Sequence, residues 1–224
     1  MVKYKNNFIF IDGEDDNYIE NKYANLGLYF KRELIKKTSK ILPISFAIPK
    51  SKIISEIDKN PKDLLAPLIP GKLDTYIYEN ENSYYEMYQK SIFALTYKKA
   101  GWDCLRHYEI MMNGCIPLFL NIKNCPVNTM TTIPKEKLVD YNEKFHKILS
   151  FYNPFKIFKK KHLTFQRILL PLLKMSKKNK LDSFLEENNN DIIFELKSDL
   201  LNFTRKNLTT EIVAKKVLEN FKTD

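Results

Sequence analysis

The stretch Ile92-Phe93-Ala94-Leu95-Thr96-Tyr97-Lys98-Lys99-Ala100-Gly101-Trp102-Asp103-Cys104-Leu105-Arg106-His107-Tyr108-Glu109, continuing to Gly114-Cys115-Ile116-Pro117-Leu118-Phe119-Leu120, decides the fold. It opens on a short apolar run closed by Thr96, which reads as a strand. A basic loop follows. A helix is expected from about Asp103 to Asn113, with Gly114 placed where a helix takes its C-terminal cap. Ile116 to Leu120 is a second apolar run. Strand, loop, helix and strand within about thirty residues is the length and order of a parallel crossover unit. The expected class is α/β, a Rossmann-like parallel sheet with flanking helices.

Working outward, Tyr84 to Lys90 reads as a helix leading into the first of these strands. Before it, residues 59–74 hold Pro61, Pro67, Pro70 and Gly71 and read as a linker or long loop. That divides the chain into a partial N-terminal α/β segment, 1–74, and a larger unit, 75–224. In the segment, Phe8-Ile9-Phe10-Ile11 reads as a buried strand ending in the acidic turn Asp12-Gly13-Glu14-Asp15-Asp16. A helix is expected over 29–40. Residues 41–48 read as extended, with Pro43 marking an edge or a bend. Beyond Pro134 the chain is expected to be mostly helical, with a lysine-rich stretch over 156–161. The last helix, about 209–222, places Val213, Val217 and Phe221 at helical spacing behind a threonine cap.

Composition narrows the classes. At 224 residues with 44% hydrophobic and 13% aromatic content, the chain is that of a folded globular protein rather than a disordered one. No apolar run approaches the roughly 20 residues of a membrane helix, and residues 1–7 lack a signal-peptide core. Three cysteines, Cys104, Cys115 and Cys125, show no metal-ligand spacing, so the default setting is reducing and cytoplasmic. The net charge of +10 invites a nucleic-acid reading. Against it, only four of the 37 basic residues are arginine, and the lysines are dispersed rather than clustered.

The chemistry concentrates between Thr96 and Glu109. Lys98 and Lys99 lie in a loop after a strand and before a helix, the edge at which open α/β sheets bind ligands. Gly101 would let the backbone approach a ligand closely. Free amides and the positive dipole end at the helix start would welcome an anion. Arg106, one turn in, can fork to phosphate, and Glu109, three residues on, shares its face and suits ribose hydroxyls. The plain alternative is a solvated helix face on which Arg106 and Glu109 form an ordinary surface pair worth about 0–1 kcal/mol. In the acidic turn, Asp12 and Asp15 are candidates to take a proton from an acceptor hydroxyl. The same turn could instead hold a divalent metal through oxygen ligands, or be merely solvated.

The order Gly101-Trp102-Asp103-Cys104-Leu105-Arg106-His107-Tyr108-Glu109-Ile110, closing in Gly114-Cys115-Ile116-Pro117, resembles the C-terminal motif of the exostosin family, in which an arginine precedes a glutamate by three residues and Gly-Cys-Ile-Pro follows. Tyr29-Phe30-Lys31-Arg32-Glu33-Leu34 and Leu42-Pro43-Ile44-Ser45-Phe46 resemble related glycosyltransferases. The similarity covers about residues 91–135 and is looser before that. It implies one half of a GT-B glycosyltransferase with a helical C-terminal tail, and a nucleoside-diphosphate sugar as co-substrate. Arg106 would contact the donor diphosphate and Glu109 the ribose, with Lys98, Lys99 and Gly101 beside them and no bound metal required. A glycan or other hydroxyl compound would be the acceptor. The family places an arginine-glycine pair ahead of this helix, where this chain has Lys98 and Lys99. Residues 1–74 would be only part of an acceptor half, so a nucleotide-sugar-binding module completed by a partner chain is the alternative.

Overall fold

Strand β1 (Ile9–Asp12) pairs in parallel with β2 (Leu28–Lys31), and β2 with β3 (Ile41–Pro43), in the computed structural model of the chain. The structure describes residues 8–145 and 177–222; residues 156–161, His146 and His162 lie outside them. A second sheet has the order β4 (Asp63–Leu65), β5 (Ser91–Tyr97), β6 (Ile116–Leu120), again all parallel. The protein is therefore α/β, with two three-stranded Rossmann-like sheets flanked by helices.

The helix expected over 29–40 does not form. All four residues of Leu28–Lys31 are buried, and they make the central strand of the first sheet. A Leu-Tyr-Phe run can bury both faces in a sheet, and that tertiary gain overrides the helical preference of the Lys-Arg-Glu-Leu residues after it. Those residues instead run on toward the second sheet. The extended segment expected over 41–48 is a strand only to Pro43, whose missing amide suits an edge. Residues 59–74 are more than a linker, since they contain β4 and the start of a short 3₁₀ turn, Leu73–Thr75.

The crossover at the centre matches its reading. Helix α2 (Glu81–Gln89, after the short α1, Asn21–Ala24) starts at Asn80, whose side chain accepts from the Ser83 amide at 3.0 Å. It leads into β5, from which α3 (Leu105–Met112) crosses to β6. Gly114 follows α3 with φ +66°, and the Gly114 and Cys115 amides donate to Met111 and Ile110, which closes the helix in a Schellman cap. Phe93, Tyr108, Met111, Ile116, Leu118 and Phe119 form the heart of the main core. Helices α4 (Lys135–Lys144), α5 (Lys177–Asn188) and α6 (Asn190–Asn207) cover it, with Leu138, Leu181, Ile193 and Leu200 buried there. The last helix, α7 (Thr210–Lys222), returns to the first sheet, where Val217 packs on Leu28, Phe30 and Leu42. Among the described residues no helix is long and apolar enough to cross a membrane.

Candidate functional site

The residues singled out by sequence fall into three places. The first is the acidic turn. Asp12 ends β1 with its side chain buried, and it accepts from the Tyr29 hydroxyl, the Glu14 amide (3.0 Å) and the Lys31 ammonium (3.0 Å). Lys31 is itself fully buried and reaches Asp16 at 3.2 Å. Burial alone would raise the Asp12 pKa, but the tyrosine, the amide and the lysine outweigh it and hold the carboxyl below its ordinary 3.8. The same burial and the adjacent carboxylate push Tyr29 up to about 12. Asp15 is largely exposed and pairs with Arg32. Among the described residues, no three of the acidic, histidine or cysteine side chains converge as a metal site.

The second place is the loop between β5 and α3. Lys98 and Lys99 are exposed, and the Lys98 ammonium lies 5.5 Å from the centre of the Trp102 ring. Lys98 and Trp102 share a cleft of about 220 Å³ with Asp15, Asp16, Glu33 and Thr129, a set that includes neither Arg106 nor Glu109. Two amides just ahead of the helix are already engaged, while no side chain caps the helix start itself. Glu33, which follows β2, accepts from Asp103 N at 2.8 Å and Trp102 N at 2.9 Å. Gly101 faces the same carboxylates: a Cβ there would lie 2.6 Å from Glu33 Oε1 and 2.9 Å from Asp15 Oδ1. Its lack of a side chain thus admits the first half of the chain, not an open ligand space. Asp103 accepts from Phe46 N (2.8 Å) and the Tyr108 hydroxyl (2.7 Å), and burial still pushes its pKa up to about 6. His107 is wholly buried, with its ring nitrogens on Thr96 Oγ1 and the Trp102 carbonyl, and burial pulls its pKa down to about 3. It is a packing residue. Cys115 is likewise buried, with its thiol pushed up to about 12.

The third place is the corner where the carboxyl ends of β4 and β5 meet α3. Arg106 is only 8% exposed. Its Nε lies 3.4 Å from Thr96 Oγ1 and its Nη1 3.5 Å from the Tyr76 hydroxyl, both at the outer limit of a hydrogen bond. Nη2 is buried with no partner. No ion pair forms with Glu109, whose Oε2 accepts from Tyr84 at 2.9 Å and whose pKa is raised chiefly by burial. The pair is therefore not an ordinary surface salt bridge. Unpartnered donors on a buried cation are costly, each about 1–3 kcal/mol or more for a charged group, which makes Arg106 a candidate to bind an anion.

Sequence reasoning passed over Lys72, Tyr76 and Tyr97 at this corner, and Lys31, Arg32 and Glu33 at the acidic turn. Lys72 was hidden in a Pro-rich stretch that reads as linker. Its one signal was its place directly after Pro70-Gly71. The second group was hidden in an apparent helix. Comparison with protein-family models, with curated proteins and with solved structures found no match.

Proposed function

We propose that this protein is a glycosyltransferase of exostosin-like type, in which a GT-B-like pair of facing halves transfers a sugar from a nucleoside-diphosphate donor to a hydroxyl acceptor. One observation carries the reading: the buried Arg106 guanidinium, with Nη2 unpartnered, at the carboxyl edge of a parallel sheet. That edge is where such sheets bind nucleotides, and a guanidinium matches the paired oxygens of phosphate. Glu109, three residues on and half-buried beside Tyr84, is the group to accept ribose hydroxyls.

In single displacement the nucleoside diphosphate leaves as negative charge builds on it, and preorganised cations lower that barrier. Arg106 is fixed in place before the donor arrives, which is the condition for such stabilisation. The acceptor hydroxyl needs a base. Neither sequence candidate is placed beside Arg106: Asp12 is committed to Tyr29 and Lys31, and Asp15 pairs with Arg32 and lines the separate Lys98 cleft. Lys98 and Lys99 contribute long-range attraction for the donor from the loop rather than contact with the Arg106 site. The pairing of both acidic candidates with cations favours one second reading, a donor-binding module that completes its base through a partner chain.

Calorimetric titration with nucleoside diphosphates and their sugars tests the assignment. One nucleoside diphosphate is expected to bind selectively, and Arg106→Ala to weaken it by about 2–4 kcal/mol, or roughly 30- to 1,000-fold, as for loss of a charge-assisted pair. Undiminished affinity in the variant would remove Arg106 from the site. Binding without transfer to any acceptor would favour the module.

A further inference from the structure

Arg106 is not the only buried cation with idle donors. Lys72 is 9% exposed, and its ammonium donates no hydrogen bond. The exposed Asp74 carboxylate lies 3.4 Å away, without the geometry of one. Lys72 stands on the loop that leaves β4, immediately after Gly71, which takes φ +79°. That loop is tied to the Arg106 corner at two points. The Tyr97 hydroxyl donates to the Pro70 carbonyl at 2.5 Å and lies 3.0 Å from where a Gly71 Cβ would be. Tyr76, four residues beyond Lys72, is the neighbour of Arg106 Nη1. Arg106 also lies close enough to Tyr97 to oppose the upward push of burial on that phenol. Tyr84 and Tyr88 feel the same guanidinium. A lysine and an arginine, each more than nine-tenths buried and each with unused donors, thus belong to one loop-and-helix corner walled by tyrosines.

We infer that Lys72 and Arg106 form a two-cation clamp for a diphosphate group, with Lys72 the second phosphate-binding residue of the site. The inference deepens the donor-site reading and rests on it for the identity of the nucleotide, but not for the anion. A single phosphate needs one fork, which Arg106 supplies. A second, separately mounted cation suits a ligand whose charge extends over two phosphates. The clamp lies at β4 and β5, away from the Lys98 cleft. Selectivity for diphosphate over monophosphate should therefore follow Lys72 and be indifferent to Lys98.

The test uses the full chain and inorganic pyrophosphate, orthophosphate and the mono- and diphosphates of each nucleoside as probes. Pyrophosphate is expected to bind at least tenfold more tightly than orthophosphate. Lys72→Met should erase most of that preference, while Arg106→Met should weaken both anions, and Lys98→Met should leave the ratio of the two affinities unchanged within about twofold. Without ligand, Lys72→Met is expected to melt no lower than the parent, because it removes an underused buried charge while keeping the side chain's bulk. A variant that merely damaged the fold would melt lower, and Lys72→Gln then repeats the comparison. Pyrophosphate preference that persists in folded Lys72→Met and Lys72→Gln overturns the clamp. So does the absence of pyrophosphate binding in the parent. If nucleoside diphosphate binding depends on Arg106 but not on Lys72, the clamp fails and the donor-site reading stands. If pyrophosphate binding depends on both residues but no nucleotide binds better than pyrophosphate, the clamp stands and the donor-site reading fails.

Discussion

At the scale of single residues, the polar groups with the most bonds are structural and those with the fewest point to function. Asp12 is the clearest of the first kind, holding Lys31 and Tyr29 inside the first sheet. Removing its charge leaves Lys31, fully buried, with only the exposed Asp16. Breaking a buried pair typically costs about 3–5 kcal/mol, and because one carboxylate remains, Asp12→Asn should cost about 3 kcal/mol at neutral pH. The pH dependence has a definite sign. The folded pKa of Asp12 lies below its ordinary 3.8, so its stabilisation is complete above that value and is lost as the pH falls through the folded one. Denaturant melts of parent and variant should therefore differ most near pH 7 and converge below about pH 3.8. A difference that stays constant down to pH 2 would mean that Asp12 acts by shape alone. Arg106 and Lys72 are the opposite kind, buried with donors unused, and sequence could show only one of them. Arg106 stood in a recognisable spacing, three residues before Glu109 and just inside a helix. Lys72 looked like one of 33 scattered lysines, because its burial is conferred by the walls around it and not by its neighbours in the chain.

At the scale of elements, legibility followed how local each cause was. Strands β5 and β6 and helix α3 were readable because apolar period and the Gly114 stop lie within one short stretch. Strand β4 was not, because three residues among prolines carry no period and acquire strand geometry only by pairing with β5. Strand β2 was misread for a related reason. Tyr29 and Phe30 precede a run of good helix formers, and only the sheet on both sides, Ile9 to Asp12 and Ile41 to Pro43, selects the extended form. The α3 cap gives a local cause that can be tested locally. Gly114 holds φ +66°, a left-handed conformation that costs an L residue about 1 kcal/mol, and a Cβ there would sit 3.0 Å from Ile54 Cδ1. Gly114→Ala is expected to lower stability by about 1–2 kcal/mol without altering pyrophosphate affinity, since the cap is at the far end of α3 from Arg106. If affinity fell with stability intact, the helix end would be coupled to the site, and the cap would not be purely structural.

At the scale of the whole molecule, side chains of residues 32–46 bond to the main chain of the second half, and side chains of the second half bond back to the main chain of the first. Arg32 donates to the Asp103 carbonyl, with its guanidinium 4.6 Å from the Phe46 ring centre, while Glu33 receives the Trp102 and Asp103 amides. Asp103 in turn receives the Phe46 amide at 2.8 Å, and Thr129 Oγ1 and Asn128 Nδ2 donate to the Leu34 and Ile35 carbonyls at 2.9 and 2.7 Å. A seam of directed polar bonds opens at lower cost than a wholly apolar one, so it can be tested bond by bond. Glu33 is the bond that tests this, because it alone occupies two amides of the loop leading to Arg106. Glu33→Ala leaves both amides without that partner, and at Trp102, which lines the cleft, water can recover part of what is lost. The local cost should then be about 2 kcal/mol, equivalent to roughly thirty-fold faster hydrogen exchange at Trp102 and Asp103. Amides deep in the sheet, such as those of Phe93 and Leu118, exchange only through larger openings and should change little. Pyrophosphate affinity should also hold within about threefold, as Lys72 and Arg106 sit on the other side of that loop. Equal acceleration at Phe93 and Leu118 would instead make Glu33 a support of the entire fold, and the two halves would have to be regarded as one cooperative unit with no seam to open.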